Sequence, residues 1–476
     1  MKNIFLNKRS VMLITVISLI VLCCAGCSEK LVPAEPYSGS EIDKAQDTDS
    51  NADSTAAGEE GDISNADSPA EGEDGDTLNT GSTGVETNRD NSMAAIDKGF
   101  EDIKGDSELK EIVHLDDDVE GLTGAVAFVR KLRLGWNLGN TMDATSSVSG
   151  GANLNLETSW CGVKTTSEMI DTLKDAGFKS IRVPVSWHNH VDGEFNIDEA
   201  WLNRVKEIVD YVIDNDMYCT VNIHHDNAKE FFYPTTEYLE QSKKYVRRIW
   251  EQVGETFKDY DDHLIFESLN EPRLVGTSNE WSLSNNDMCR DAVKCINELN
   301  QVFVDTIRSQ GSYNSERYLL VPAYAAQWGA AVSDEFVLPT DTADNKILLE
   351  VHAYSPYNFA LAAPGDSNST DLFSSGNNSS TAEINNMMLK LKLNFVDKGI
   401  GVVIDEFGAR DKSGNLESRT DYAGYYVKKA REFGITCYWW DNNVFFGSGE
   451  RFGIFDRRSN SIRYPEIVEA LVNNCQ

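Results

Sequence analysis

From about residue 130 the chain alternates short, β-rich apolar runs with amphipathic stretches, and this alternation limits the folds open to it more than any other feature. The runs are LRLGWN (132–137), SIRVPV (180–185), YCTVNIH (218–224), LIFESL (264–269), YLLVPA (318–323), ILLEVH (347–352), GVVIDE (401–406) and TCYWW (436–440). Helical patterns such as TTSEMIDTLKDAG, DEAWLNRVKEIVDYVIDND, DAVKCINELNQVFVDTIRSQG and DYAGYYVKKAREFG lie between them, several ending in Gly as helix C-termini do. Eight strands separated mainly by helices predict an α/β chain closed into a (β/α)8 TIM barrel. The alternative is an open doubly wound sheet, but no glycine-rich phosphate fingerprint follows the first strand.

A barrel of this kind builds its active site from the C-terminal ends of its strands. In order, those ends offer Asn137, Arg182, His224, Asn270-Glu271, His352 with Tyr354, Glu406, and Trp439-Trp440-Asp441. Polar and aromatic groups thus gather at one rim of an otherwise apolar barrel. Within LIFESLNEPRLVG the fourth strand runs out into Asn270-Glu271-Pro272, where a carboxylate is costly unless it is paired or has work to do. Glu271 and Glu406 end the fourth and seventh strands, on opposite walls of one mouth. Such a pair is what glycosidic bond cleavage needs, one member protonated to serve the leaving oxygen and the other ionised toward the anomeric carbon. Environment must then push their pKa values apart, with Arg182 holding one ionised and burial raising the other. For either Glu alone, a structural ion pair is the competing reading.

At this point the residues resemble a known family. LNEP (269–272) and IDEFG (404–408) are similar to the two carboxylate signatures of glycoside hydrolase family 5. GWNLGNTMD (135–143), IRVPVSW (181–187), VNIHHD (221–226), VHAYSP (351–356) and YWWDN (438–442) match its other blocks in the same order, and bacterial cellulases are the nearest group. The resemblance implies a retaining endo-β-1,4-glucanase with Glu271 as general acid/base and Glu406 as nucleophile, acting without a cofactor or metal. It further implies that Asn270 bonds the sugar 2-OH and that Arg182 and Tyr354 orient Glu406. His224 and His352 would line the cleft, Trp440 would lie under a sugar ring, and Asn137 would contact the glycone side. The substrate is expected to be a β-linked polysaccharide, with xyloglucan, mannan, xylan or mixed-linkage glucan as alternatives to cellulose-type glucan. A surface polysaccharide-binding lipoprotein that does not cleave is the rival of another class, and retention of both Glu argues against it.

His224-His225-Asp226 invites a metal reading, yet adjacent strand residues face opposite sides and no HExxH spacing is present. Glu267 reads as a structural partner for a buried Arg, and Asp405 is expected to face away from the mouth. Trp136, Trp160, Trp187 and Trp439 suit either platforms or core packing. GDSNSTDLFSSGNNSS, which holds Asn368 and Asn377, reads as a flexible flap.

The N-terminus is read separately. Lys2, Lys8 and Arg9 precede an apolar run from Val11 to Leu22, then Cys23-Cys24-Ala25-Gly26-Cys27. The ending resembles a bacterial lipobox, with Cys24 where Leu is usual, which implies lipidation at Cys27. An ordinary cleaved signal or an uncleaved anchor are the alternatives. From Ser28 to Asn91 there are 17 acidic and 3 basic residues among Ser, Gly, Ala, Thr and Asn, so this segment cannot bury enough apolar surface to order itself. The expected organisation is a signal peptide (1–26), a disordered acidic linker (27–95) and a catalytic domain (96–476). The expected product is exported, held at the cell surface by a lipid anchor in the membrane or otherwise secreted, and monomeric. A net charge of −34 argues against nucleic acid, which requires a basic face. Cys161, Cys219, Cys289, Cys295, Cys437 and Cys475 show no metal-type spacing.

Overall fold

The computed structural model describes residues 124–147, 150–151 and 153–475. The expected signal peptide, the acidic linker, Cys27 and the expected domain's first residues to 123 lie outside the described residues. Among the described residues no helix is long and apolar enough to cross a membrane.

Eight parallel strands close on themselves: β1 (Leu134–Leu138), β2 (Ser180–Val183), β3 (Tyr218–Asn222), β4 (Leu264–Glu267), β5 (Leu319–Gln327), β6 (Ile347–His352), β7 (Gly401–Phe407) and β8 (Thr436–Asp441). Each pairs with the next, and β8 returns to β1 with Leu134 opposite Cys437 and Leu138 opposite Asp441. The expected barrel is the observed one, and each strand begins within two residues of its sequence pattern. Helix α1 (Gly124–Leu132) precedes β1. The outer ring follows as α2 (Ser167–Asp175), α3 (Glu199–Ile213), α4 (Leu239–Phe257), α5 (Asp287–Arg308), α6 (Asn378–Asn394) and α7 (Leu416–Glu432), with α8 (Pro465–Asn474) after the barrel closes. Between β5 and β6 stands a single helical turn, Trp328–Ala331, where the sequence shows no long amphipathic pattern.

Helical periodicity decides which face of each helix is buried. In α4, Tyr245, Val246, Ile249, Trp250, Val253 and Phe257 recur at three- and four-residue spacing and are all buried. Trp250 and Phe257 meet Phe266 of β4, at ring-centroid distances of 5.2 and 6.4 Å. Burial of each such side chain contributes roughly 1.5–3 kcal/mol. The α5 N-terminus is capped by Asn286, whose side chain accepts from Cys289 N at 2.8 Å.

Strand alternation then sorts the barrel interior into layers. At its base Ile265, Leu320, Leu348, Val403 and Tyr438 pack with Ala125, Phe128, Val129 and Leu132 of α1. Gly135 leaves the space that the Tyr438 ring fills, for a Cβ there would lie 2.1 Å from ring carbons. Two residues further along the strands, the same inward positions hold Asn137, Arg182, Asn222, Glu267, Glu350 and Asp405, all fully buried. One layer higher is the mouth.

Two expectations about local structure change. Asp405 faces the barrel interior, in line with Val403 two residues before it. Alternation alone puts it there, and what the β6–β7 register slip moves is Glu406: Val351 pairs with Ile404, but His352 pairs with Glu406. The irregularity brings Asp405 and Glu406, adjacent in sequence, to the same side. The polar loop after β6 is also pinned rather than free. Phe373 is buried against Phe359 and Tyr422, and Asn377 caps α6 by accepting from Ser379 N.

Candidate active site

At the mouth, the NEP turn is fixed by backbone on both sides. Asn270 N donates to Ile223 O at 2.8 Å beyond β3, and Pro272 O accepts from Ala325 N at 2.9 Å in β5. The turn aims Glu271 across the opening toward Glu406. One oxygen of each carboxylate and a ring nitrogen of His352 lie within 4.8 Å of one another.

The two glutamates are held by different means. Glu406 Oε1 accepts from Arg182 Nη1 at 2.6 Å, and Oε2 accepts from the Tyr354 hydroxyl at 3.1 Å. Arg182 is completely buried and every one of its N–H donors is used. Nε and Nη2 grip Glu267 at 2.6 and 2.7 Å, Nη1 also reaches Asn137 Oδ1 at 3.0 Å, and Nη2 also reaches Asn270 Oδ1 at 2.7 Å. Glu267 is thus the ion-pair partner of the buried arginine. Asn222 closes this support, donating to Glu267 Oε1 at 2.7 Å and to His224 Nδ1 at 3.1 Å.

Glu271 belongs to a second group. Its Oε1 lies 2.9 Å from His352 Nδ1, and its Oε2 lies 3.4 Å from Arg273 Nη1. Arg273 stacks on Trp281, 3.9 Å from the ring centroid, and Trp281 is itself half exposed. The sequence reading missed Arg273 and Trp281 because they sit in the loop beyond the strand. A cation immediately after the NEP turn was the available signal.

Of the remaining expected site residues, Asn270 has its oxygen taken by Arg182, which leaves its amide nitrogen as the group able to donate. Trp440 lies parallel to the His224 ring at 5.9 Å and walls the same opening. The expected sugar contact of Asn137 is corrected. It is fully buried one layer below the mouth, where its amide donates to Asp405 O at 2.8 Å and its oxygen receives Arg182. Trp136, Trp187 and Trp439 are core, whereas Trp160 is half-buried beside His225. The described cysteines are unpaired. His224 Nδ1 accepts a hydrogen bond from the Asn222 amide, so the ring proton sits on Nε2 and His224 presents a donor rather than a metal-binding lone pair.

The comparisons agree with this geometry. A family model described as cellulase, glycosyl hydrolase family 5, matches residues 143–445. This chain is a member of glycosyl hydrolase family 5. "Cellulase/esterase CelE" of Acetivibrio thermocellus is 39% identical over 354 residues, 73% of this chain, and the chain spans only 40% of that longer relative. "Endoglucanase A" of Ruminococcus albus is 37% identical over 355 residues, covering 74% of this chain and 93% of the relative. Among solved structures, a family 5 lichenase from Caldicellulosiruptor sp. F32 in complex with cellotetraose is 53% identical, with a TM-score of 0.74 over 75% of this chain and 96% of that one.

Electrostatics in this family 5 site run opposite to one expectation. Burial alone would raise the Glu271 carboxyl, but the His352 hydrogen bond and charge, with Arg273 behind them, hold it well below its ordinary value. Burial alone would depress His352. Glu406, Glu271 and Asp405 raise it instead, to about 9. In the substrate-free site the proton therefore rests on His352, one hydrogen bond from Glu271.

Proposed function

We propose that this family 5 glycoside hydrolase is a retaining endo-β-1,4-glucanase in which Glu406 is the nucleophile and Glu271 the acid/base. The observation that carries the reading is the spacing of the two carboxylates, with oxygens within 4.8 Å of each other. Retaining enzymes place the groups about 5–5.5 Å apart, while inverting ones leave about 6.5–9.5 Å for a water.

In the first step a Glu406 oxygen attacks the anomeric carbon as the glycosidic C–O bond breaks, and the leaving oxygen takes a proton from Glu271. That proton reaches Glu271 from His352 Nδ1, because substrate excludes water and disfavours the charged pair. In the second step Glu271, again a carboxylate, accepts a proton from water as the water oxygen displaces Glu406. Arg182 and Tyr354 hold Glu406 in line for both steps, so no reorganisation is needed at the moment of reaction. The Asn270 amide supplies a donor for the sugar 2-OH, and Trp440 supplies the apolar face of a ring.

The solved relative is named a lichenase, so mixed-linkage β-glucan stands beside cellulose-type glucan as a substrate. Export and a lipid anchor at Cys27 complete the proposal, supported by the lipobox-like ending and the acidic tether after it. Assay of the purified protein on cellulosic, mixed-linkage, xyloglucan, mannan and xylan substrates, with products sized, tests the activity. Internal cleavage of β-glucans to short oligosaccharides is the expected result. Release of single sugars only, or cleavage confined to mannan or xylan, would overturn it.

A further inference from the structure

Directly beneath the two glutamates lie two more carboxyls that the mechanism does not use. Glu350 of β6 and Asp405 of β7 are completely buried, and all four of their oxygens lack a hydrogen-bond partner. Arg182 cannot serve them. Its donors are spent on Glu267, Asn137, Glu406 and Asn270, and its Nε comes no nearer than 3.6 Å to Asp405. One oxygen of each of the two carboxyls and a His352 ring nitrogen lie within 4.8 Å of one another. His352 Nε2 is 3.6 Å from Glu350 Oε1 and also 3.6 Å from Asp405 Oδ1, a distance for charge attraction and too long for a hydrogen bond.

Two carboxylates this close in a sealed interior cannot both ionise, and an isolated buried carboxylate without a donor is costly. A single proton placed between them resolves both problems, since the protonated member then donates to the other. A cation there would stand beside the Arg182 guanidinium, which already lies 3.4 Å from His352 Nε2. The proton is therefore the better occupant.

We propose that Glu350 and Asp405 share one proton, and that the single negative charge they retain faces His352 Nε2 and keeps the imidazole protonated, ready to supply Glu271 through Nδ1. The pair positions charge and touches no substrate. The proton balance closes within the chain: His352 loses its Nδ1 proton to Glu271 Oε1, becomes neutral, and keeps Nε2–H above the pair. Burial first, and then the negative charges of Glu267 and Glu406, push both buried carboxyls well above their ordinary range, with Asp405 adding to the effect on Glu350. Other charged or titratable groups face His352 as well. They are Arg182 from β2, His224 just beyond β3, Glu271 after β4 with Arg273 behind it, and Glu406 from β7, while Glu267 from β4 acts on Glu350 and Tyr354 after β6 holds Glu406. Of these, the anions Glu406 and Glu271 act on Nδ1, so the Nε2 side depends on the buried pair.

The inference rests on Glu271 as acid/base, and its test separates the two. The alkaline limb of kcat/KM is measured against pH for the full chain, for Glu350→Gln, for Asp405→Asn and for the double variant, each checked for cooperative melting. In either single variant the amide donates to the surviving carboxylate and one negative charge remains, so the position of the limb stays put whatever its height. In the double variant that charge is gone, and the limb moves down by about one pH unit or more, roughly tenfold in activity on its far side. A double variant whose limb matches the unmodified protein would overturn the retained charge. So would single variants that shift as far as the double, or a limb that moves on dialysis against a chelator and returns with a divalent metal. Titration of His352 by nitrogen-15 NMR reads the same shift without turnover. It fails if His352 titrates identically in all four proteins, whatever Glu271 does in catalysis.

Discussion

The base and the mouth of the barrel use the same strands and the same alternation, yet they are built from opposite chemistry. At the base, Ile265, Leu320, Leu348, Val403 and Tyr438 pack on α1 and leave no role for charge. Two residues along the same strands stand Glu267, Glu350 and Asp405, and at or just beyond the strand ends stand Glu271, His352 and Glu406. The base gains from area removed from water, which is insensitive to direction. The mouth spends part of that stability on a buried ionic network whose value lies in geometry, because buried ion pairs stabilise weakly when desolvation is counted. Changes at the base should therefore cost folding and spare turnover, while loss of either reacting carboxyl at the mouth should cost turnover far more than folding.

The largest effect belongs to the mouth. Glu406→Ala should lower turnover by at least about 10^4-fold on every substrate while the protein melts close to the unmodified temperature. Near-normal activity would remove the nucleophile from the proposal. Glu271→Ala should cost about 10^2- to 10^4-fold on polysaccharide and less in the first step on an aryl glycoside with a good leaving group, which needs little protonation. Equal losses on both substrates in pre-steady-state measurements would count against its role as acid.

Next comes pH. His352 has its pKa raised from 6.5 to about 9 in the folded protein, so its contribution to stability is complete below about 6.5 and is lost as pH rises through about 9. The shift corresponds to about 3 kcal/mol. Urea unfolding between those pH values should show this decline, and His352→Gln should flatten it. Parallel declines in both proteins would mean another group is responsible. At the base, Gly135→Ala drives a methyl group into the Tyr438 ring and should destabilise by about 1–3 kcal/mol with kcat per folded molecule unchanged. A matching loss of kcat would show that base and mouth are coupled. The smallest change is Asn377→Ala, which removes the α6 cap for about 1 kcal/mol, read as a shift in the urea midpoint.

Which parts of this were legible in the sequence follows from physical range. The strands and their helices are local patterns, and both glutamates announce themselves at strand ends. Glu267 was placed with a buried arginine because a carboxylate inside an apolar run has few other uses. Asp405 was placed on the wrong side because strand parity, counted from Glu406, assumes an unbroken ladder, and the slip between Val351 and His352 depends on how β6 and β7 pair. Asn137 was set too high, since depth in a barrel depends on the stagger between β1 and its neighbours β2 and β8. Glu350 passed unremarked inside ILLEVH, though it sits two residues before His352 and so must share its face. The proton on His352 could not be read from spacing at all. It follows from which oxygens Arg182 has left unserved.

The most direct test of the central claim, that Glu406 attacks and Glu271 passes the proton, is azide rescue of Glu271→Ala on an activated aryl β-glycoside. The small anion can enter the space left by the missing carboxyl and attack the glycosyl-enzyme without a general base. Azide should accelerate this variant and give a β-glycosyl azide, the configuration of the substrate preserved through two displacements. An α-glycosyl azide from Glu271→Ala would contradict the assignment, because it would mean a single displacement at the anomeric carbon with no covalent bond to Glu406.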